Sequence, residues 1–97
     1  MPSYIGESYL SRTRRGELSA LTAGARDAAQ ALAREGHQIA YLRCAFVPED
    51  EVCLLWFIAS SQAIVTEAGR RAGLEFARVI EELEPSSQEQ PCRQEPA

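Results

Sequence analysis

The chain has 97 residues, 45% of them hydrophobic, and carries 14 acidic residues against 10 basic ones, all arginine, for a net charge of -4. That length allows one domain with a small core, for which pairing with a second copy is a common source of further burial. The acidic balance, with no basic stripe interleaved with aromatics, argues against nucleic acid. The lack of a long apolar run or a basic leader argues against a membrane, so the expected location is the cytoplasm.

Residues 2–10 hold Tyr4, Ile5, Tyr9 and Leu10 around Gly6, enough β-formers for a first strand with Ile5, Glu7 and Tyr9 on one face. Thr13 is expected to cap a helix over 13–34, with Glu17 adding negative charge near its start. Leu18, Leu21, Ala25, Ala28 and Leu32 then share a face at helical spacing, and Gly36 supplies the left-handed stop. Residues 37–47 alternate in part, with Ile39, Tyr41 and Arg43 set against Ala40, Leu42, Cys44 and Phe46. Pro48, Glu49 and Asp50 form a turn into the next strand.

That strand, Val52–Ala59, is an unbroken apolar run, too short to span a membrane and rich in strand formers. It is expected to be buried on both faces. Ser60 or Ser61 caps a second helix with Ile64, Ala68 and Ala72 on its buried side, ended by Gly73. Residues 76–83 are expected to close the domain as a fourth strand, or as a short helix. As a strand, Phe76, Arg78 and Ile80 would share one face, and Val79 and Leu83 the other.

The order β-α-β-β-α-β is the ferredoxin-like α+β sandwich, whose right-handed crossovers place both helices on one face of an antiparallel sheet. With apolar residues on both sides of the hairpin, the helix-free face calls for a second copy, giving a dimeric α+β barrel. Residues 1–84 form this domain. Residues 85–97, polar and Pro-rich, read as a disordered tail.

The first-strand segment 2–10, the hairpin segment 46–53 and the helix end 70–80 resemble a family of small, largely actinobacterial proteins of unknown function whose named members bind nickel. An arginine-only basic set with abundant alanine fits that source. The resemblance covers residues 2–83. It implies a ferredoxin-like fold, a homodimer and, in the nickel-binding members, a metal site rich in histidine; it singles out Glu7 and Cys53. This chain departs from the pattern, because the family's histidines near the end of the second helix fall at Gly69 and Leu74, and His37 is its single histidine.

Glu7, set mid-strand, is the first catalytic candidate: burial without a partner would raise its pKa and make it a proton carrier. The plainer reading is an ion pair with Arg43 or Arg78. Tyr9 and Tyr41 would orient a ligand by hydrogen bonds, and Trp56, Cys53 and Tyr4 would line its pocket. Core and interface packing explains the aromatics equally well. Cys44 and Cys53 lie nine apart. A four-residue connection is expected to set them directly opposite, although neighbouring registers are equally allowed; as thiols they read as small buried hydrophobes. The odd cysteine count, Cys92 included, favours reduced thiols.

The leading expectation is therefore a dimeric barrel whose cavity holds a small organic molecule, with isomerisation, cyclisation or oxygenation as the chemistry if it is catalytic. No cofactor follows from the residues. One alternative is nickel or another divalent metal, bound through His37, Cys53 and carboxylates partly from the partner chain. The other is a non-catalytic interaction module.

Overall fold

A computed structural model describes residues 1–83. The segment expected to be a disordered tail, with Cys92, lies outside the described residues.

Strand β1 (Ser3–Tyr9) alternates strictly, turning Tyr4, Gly6 and Ser8 inward while Ile5, Glu7 and Tyr9 face the other way. The chain then enters a short 3-10 segment, Arg12–Glu17, before helix α1 (Leu18–Arg34). The expected Thr13 cap is not formed: Ser11 caps the 3-10 segment, and α1 itself starts after Glu17 without a side-chain cap. The Ser11 hydroxyl accepts from the Thr13 N–H at 3.3 Å, and Arg14, at φ -108° and ψ 17°, keeps the first turns out of α-helical geometry. Helix α1 buries Ala25, Ala28, Ala29 and Leu32, while Leu18 and Leu21 of the expected stripe are half-buried against the core. It ends at Gly36, whose φ of 103° a residue with a Cβ rarely adopts.

Strand β2 (Ile39–Val47) pairs antiparallel with β3 (Val52–Ala59), but its register shifts between Tyr41 and Arg43. Tyr41 pairs with Phe57 and Arg43 with Trp56, so Leu42 is one residue more than β3 can match. This bulge corrects the expected alternation. One extra residue reverses the phase, so Ile39, Tyr41, Cys44 and Phe46 share the inner face and Arg43 is turned outward. The connection at 48–51 is closed by the Asp50 N–H donating to the Val47 carbonyl at 3.2 Å.

In β3, Cys53, Leu55, Phe57 and Ala59 are buried, while Val52, Leu54, Trp56 and Ile58 are only half-buried. Within one chain the strand is therefore covered fully on one face alone. Helix α2 (Gln62–Arg71) is capped by Ser61, whose hydroxyl accepts from the Ile64 N–H at 3.4 Å. The Gln62 side-chain amide donates to the Val79 carbonyl at 2.6 Å, tying the helix start to the last strand. Gly73, at φ 79°, turns the chain out of the helix.

Strand β4 runs Arg78–Glu82 and does not begin at residue 76 as expected. Phe76 does not share the face of Arg78 and Ile80. Its ring lies on the inner side between β1 and α2, filling the space left by Gly6 and Gly69. A Cβ at Gly6 would lie 2.7 Å from the ring, and one at Gly69 would lie 2.5 Å from it. Leu83 falls just past the strand and is exposed.

The sheet order is β2-β3-β1-β4, every neighbouring pair antiparallel, an order compatible with the ferredoxin-like arrangement. The core lies between the sheet and the two helices, centred on Phe57, which meets Tyr41 and Phe76 edge-on with centroids at 5.7 and 6.2 Å. Burying Phe57 alone stabilises the fold by roughly 2–3 kcal/mol. No helix among the described residues is long and apolar enough to cross a membrane.

Candidate functional site

The face of the sheet away from the helices is built from the outward residues of all four strands. Ile5, Leu54, Trp56, Ile58 and Ile80 make it apolar, and Glu7 stands on β1 between Ile5 and Tyr9. The register brings Glu7 opposite Leu54 on one side and Arg78 on the other. Arg78 Nε lies 3.1 Å from Glu7 Oε1; the carboxylate side chain keeps 17% exposure and the guanidinium 64%. Of the two expected ion-pair partners for Glu7, the structure thus selects Arg78. The Glu7 carboxylate in turn holds the Arg78 guanidinium above the usual arginine range, mainly through their hydrogen bond.

Arg43 is engaged elsewhere on the same face. Its guanidinium carbon sits 3.7 Å above the centre of the Trp56 ring, close enough for the ring's negative face to attract the cation. Sequence reasoning missed this stack because it depends on the bulge at Leu42. Next to Glu7, a notch of about 330 Å3 is lined by Glu7, Tyr9, Val47, Asp50, Val52 and Leu54. Tyr9, 70% exposed, stands at its rim. Three of the expected site residues, Glu7, Tyr9 and Trp56, therefore share one face.

Tyr41 and Cys53 lie on the other side of the sheet. Tyr41 packs edge-on to Phe57 with the Arg26 guanidinium 5.3 Å from its ring centre. Burial first, and the Cys44 thiol second, push its hydroxyl pKa up. It cannot act on a ligand held beside Tyr9, because the sheet stands between them. Cys53 is buried, and its residue pairs with Phe46, whereas Cys44 pairs with Leu55. The connection does have four residues, yet this register puts the two cysteines on a diagonal rather than directly opposite. Their side chains still meet. Burial, with the neighbouring Cys53 thiol adding to it, pushes Cys44 up to about 11, and burial also raises Cys53. Both are protonated, unreactive thiols at neutral pH.

His37 is exposed between α1 and β2, and among the described residues no three His, Cys, Asp or Glu side chains gather as a metal site would require. Gly69 and Leu74, the two positions at which a histidine-rich site is expected to place histidines, are both taken up by packing. Leu74 is buried, and a side chain at Gly69 would run into the Phe76 ring. The described residues of a single chain therefore do not fit a nickel site.

Compared with protein-family models, with curated proteins and with solved structures, the chain matches none.

Proposed function

We propose that the protein is a homodimer built through its helix-free sheet face, and that the space enclosed around Glu7 holds a small organic molecule. The observation that carries this is the composition of that face. It holds a broad apolar surface, and the charges set in it are already answered: Glu7 by Arg78, and Arg43 by the ring of Trp56.

Four strands about 4.8 Å apart and five to nine residues long make a face of roughly 400 Å2 in projection, and side-chain relief adds to this. Stable interfaces bury about 800 Å2 of accessible surface per partner, and an apolar patch of several hundred Å2 is unusual on a monomer. A second copy suits this face because isologous packing needs a surface that complements itself. Glu7, Asp50 and Glu82 stand on or beside it together with Arg43 and Arg78, so the face carries charges of both signs and two copies need not meet as like charges. Two such notches facing each other would close into a cavity with apolar walls and the Glu7–Arg78 pair as its polar group, the mix usual in small-molecule sites.

Native mass spectrometry of the untagged protein tests this directly. The expected result is a dimer mass with an added organic component that solvent denaturation releases. A monomer at micromolar concentration overturns the interface, and a dimer that carries nickel in place of an organic component favours a shared metal site.

A further inference from the structure

On the helix side of β1, at the opposite face from Glu7, lies a cavity of about 360 Å3. It is bounded by the end of β1, the 3-10 segment, α1 and the turn at 73–75. We infer that this cavity binds a small aliphatic α-amino acid, held by Ser8, Arg14 and Glu75 against a wall of Leu10, Leu21 and Leu74. The inference stands apart from the proposal for the sheet face.

The first observation is Ser8. It is the buried polar residue of the described core, at 7% exposure, it lines the cavity, and its hydroxyl has no hydrogen-bond partner in the protein among the described residues. A buried hydroxyl left without a partner is costly, which is why such groups are nearly always satisfied by protein, water or ligand. Ser8 lines the cavity, so a ligand held there is a candidate partner for its hydroxyl.

The second observation is the pairing of charges around it. Arg14 is held in place by Glu17, with Nε donating to Oε2 at 3.0 Å and Nη2 to Oε1 at 2.7 Å. No hydrogen bond is made by its Nη1 among the described residues, so that nitrogen remains to meet a carboxylate. Glu75 lines the same cavity, is exposed, and makes no ion pair among the described residues. A simple anion would be attracted by Arg14 and opposed by Glu75, and a simple amine the reverse. A zwitterion satisfies both. Leu10, Leu21 and Leu74 supply the aliphatic part of the lining, the side on which an amino acid's apolar side chain would rest. At about 360 Å3 the cavity falls at the small end of the range for ligand sites, roughly 300–1,000 Å3.

The test is calorimetric titration of the full chain with L-leucine, with 4-methylpentanoate, which lacks the amine, and with isoamylamine, which lacks the carboxylate. L-leucine is expected to bind, and each truncated analogue to bind at least about tenfold more weakly. Ser8→Ala and the exposed Glu75→Gln are each expected to weaken L-leucine about tenfold, with circular dichroism unchanged. Absence of heat at millimolar L-leucine overturns the inference. So does equal binding of L-leucine and 4-methylpentanoate, or an unchanged affinity in Glu75→Gln. Because neither variant touches the sheet face, the dimer mass is expected to stay the same in both, which separates this result from the fate of the proposed interface.

Discussion

Arg78 reaches across the β1–β4 pair to Glu7, Nε to Oε1 at 3.1 Å, and this one contact joins the last strand's charge to the centre of the helix-free face. Glu7→Gln keeps the shape and removes the charge. Because Arg78 is mostly exposed and can be hydrated, the expected loss of stability in urea unfolding is under about 1 kcal/mol. Retention of the organic component is expected to fall about tenfold or more, the effect of losing a charge-assisted hydrogen bond. Unchanged retention would leave Glu7 a purely structural ion pair.

Trp56→Glu places a carboxylate in the proposed interface. The side chain lies on the helix-free face, so the expected outcome is a folded monomer, with native circular dichroism and half the wild-type mass by light scattering. A variant that stays dimeric would show that the copies meet elsewhere.

The Phe76 ring is confined from two sides, and moving it away from Gly69 drives it toward Gly6. Gly69→Ala is expected to cost about 1–3 kcal/mol in urea unfolding through overpacking. In a Phe76→Leu background the same substitution is expected to cost markedly less, a coupling that a double-mutant cycle reads directly. Equal costs in both backgrounds would mean that the ring does not impose the glycine.

Arg71 joins the two helices by a bidentate bond to Glu35, 2.6 and 2.9 Å, and a third to Glu67 at 2.9 Å. Hydrogen bonds from Arg70, and then Arg71, hold Glu67 down at about 2 against an ordinary 4.5. A folded pKa below the unfolded one stabilises at pH above 4.5, and that stability is lost as pH falls from about 4.5 toward 2. Glu67→Gln is expected to flatten this acid limb in thermal melts at low salt. Added salt should shrink the difference, since the group is partly exposed and its Arg70 partner largely so.

In a Cys92→Ser background, Cys44 and Cys53 are the remaining thiols. With Cys44 pushed from 9.0 up to about 11, its thiolate fraction at pH 8 falls about a hundredfold. Iodoacetamide is expected to label the native protein slowly and the urea-unfolded protein fast. Rapid native labelling would contradict the burial of this pair.

That Ile5, Glu7 and Tyr9 share one face of β1 is legible in the sequence, because side chains alternate along a strand with period two. The same holds for the α1 stripe and for the glycine stops at Gly36 and Gly73, where local geometry alone decides. Legibility ends where a distant partner sets the outcome. The bulge at Leu42 exists because β3 dictates the pairing of β2, and with it come the Arg43–Trp56 stack and the diagonal placing of Cys44 and Cys53. Phe76 sits in a segment of strand formers, which argues for a place in the sheet; its actual seat is a gap made by two glycines 63 positions apart, Gly6 and Gly69.

By itself, then, the sequence determined the order of strands and helices, the sharing of one β1 face by Ile5, Glu7 and Tyr9, and the apolar character of a face that the two helices do not reach. These follow from short-range periodicity and from the right-handed crossovers that place both helices on one side of the sheet. Only the tertiary structure decided which expected site residues share a surface. Glu7, Tyr9 and Trp56 stand together on the helix-free face, while Tyr41 and Cys53 lie behind the sheet and Ser8 opens into a second cavity. The reason is register. A shift of one residue between paired strands moves a side chain to the opposite face, and that shift is fixed by the fit of β2 to β3 across the whole hairpin rather than by any residue's neighbours in the chain.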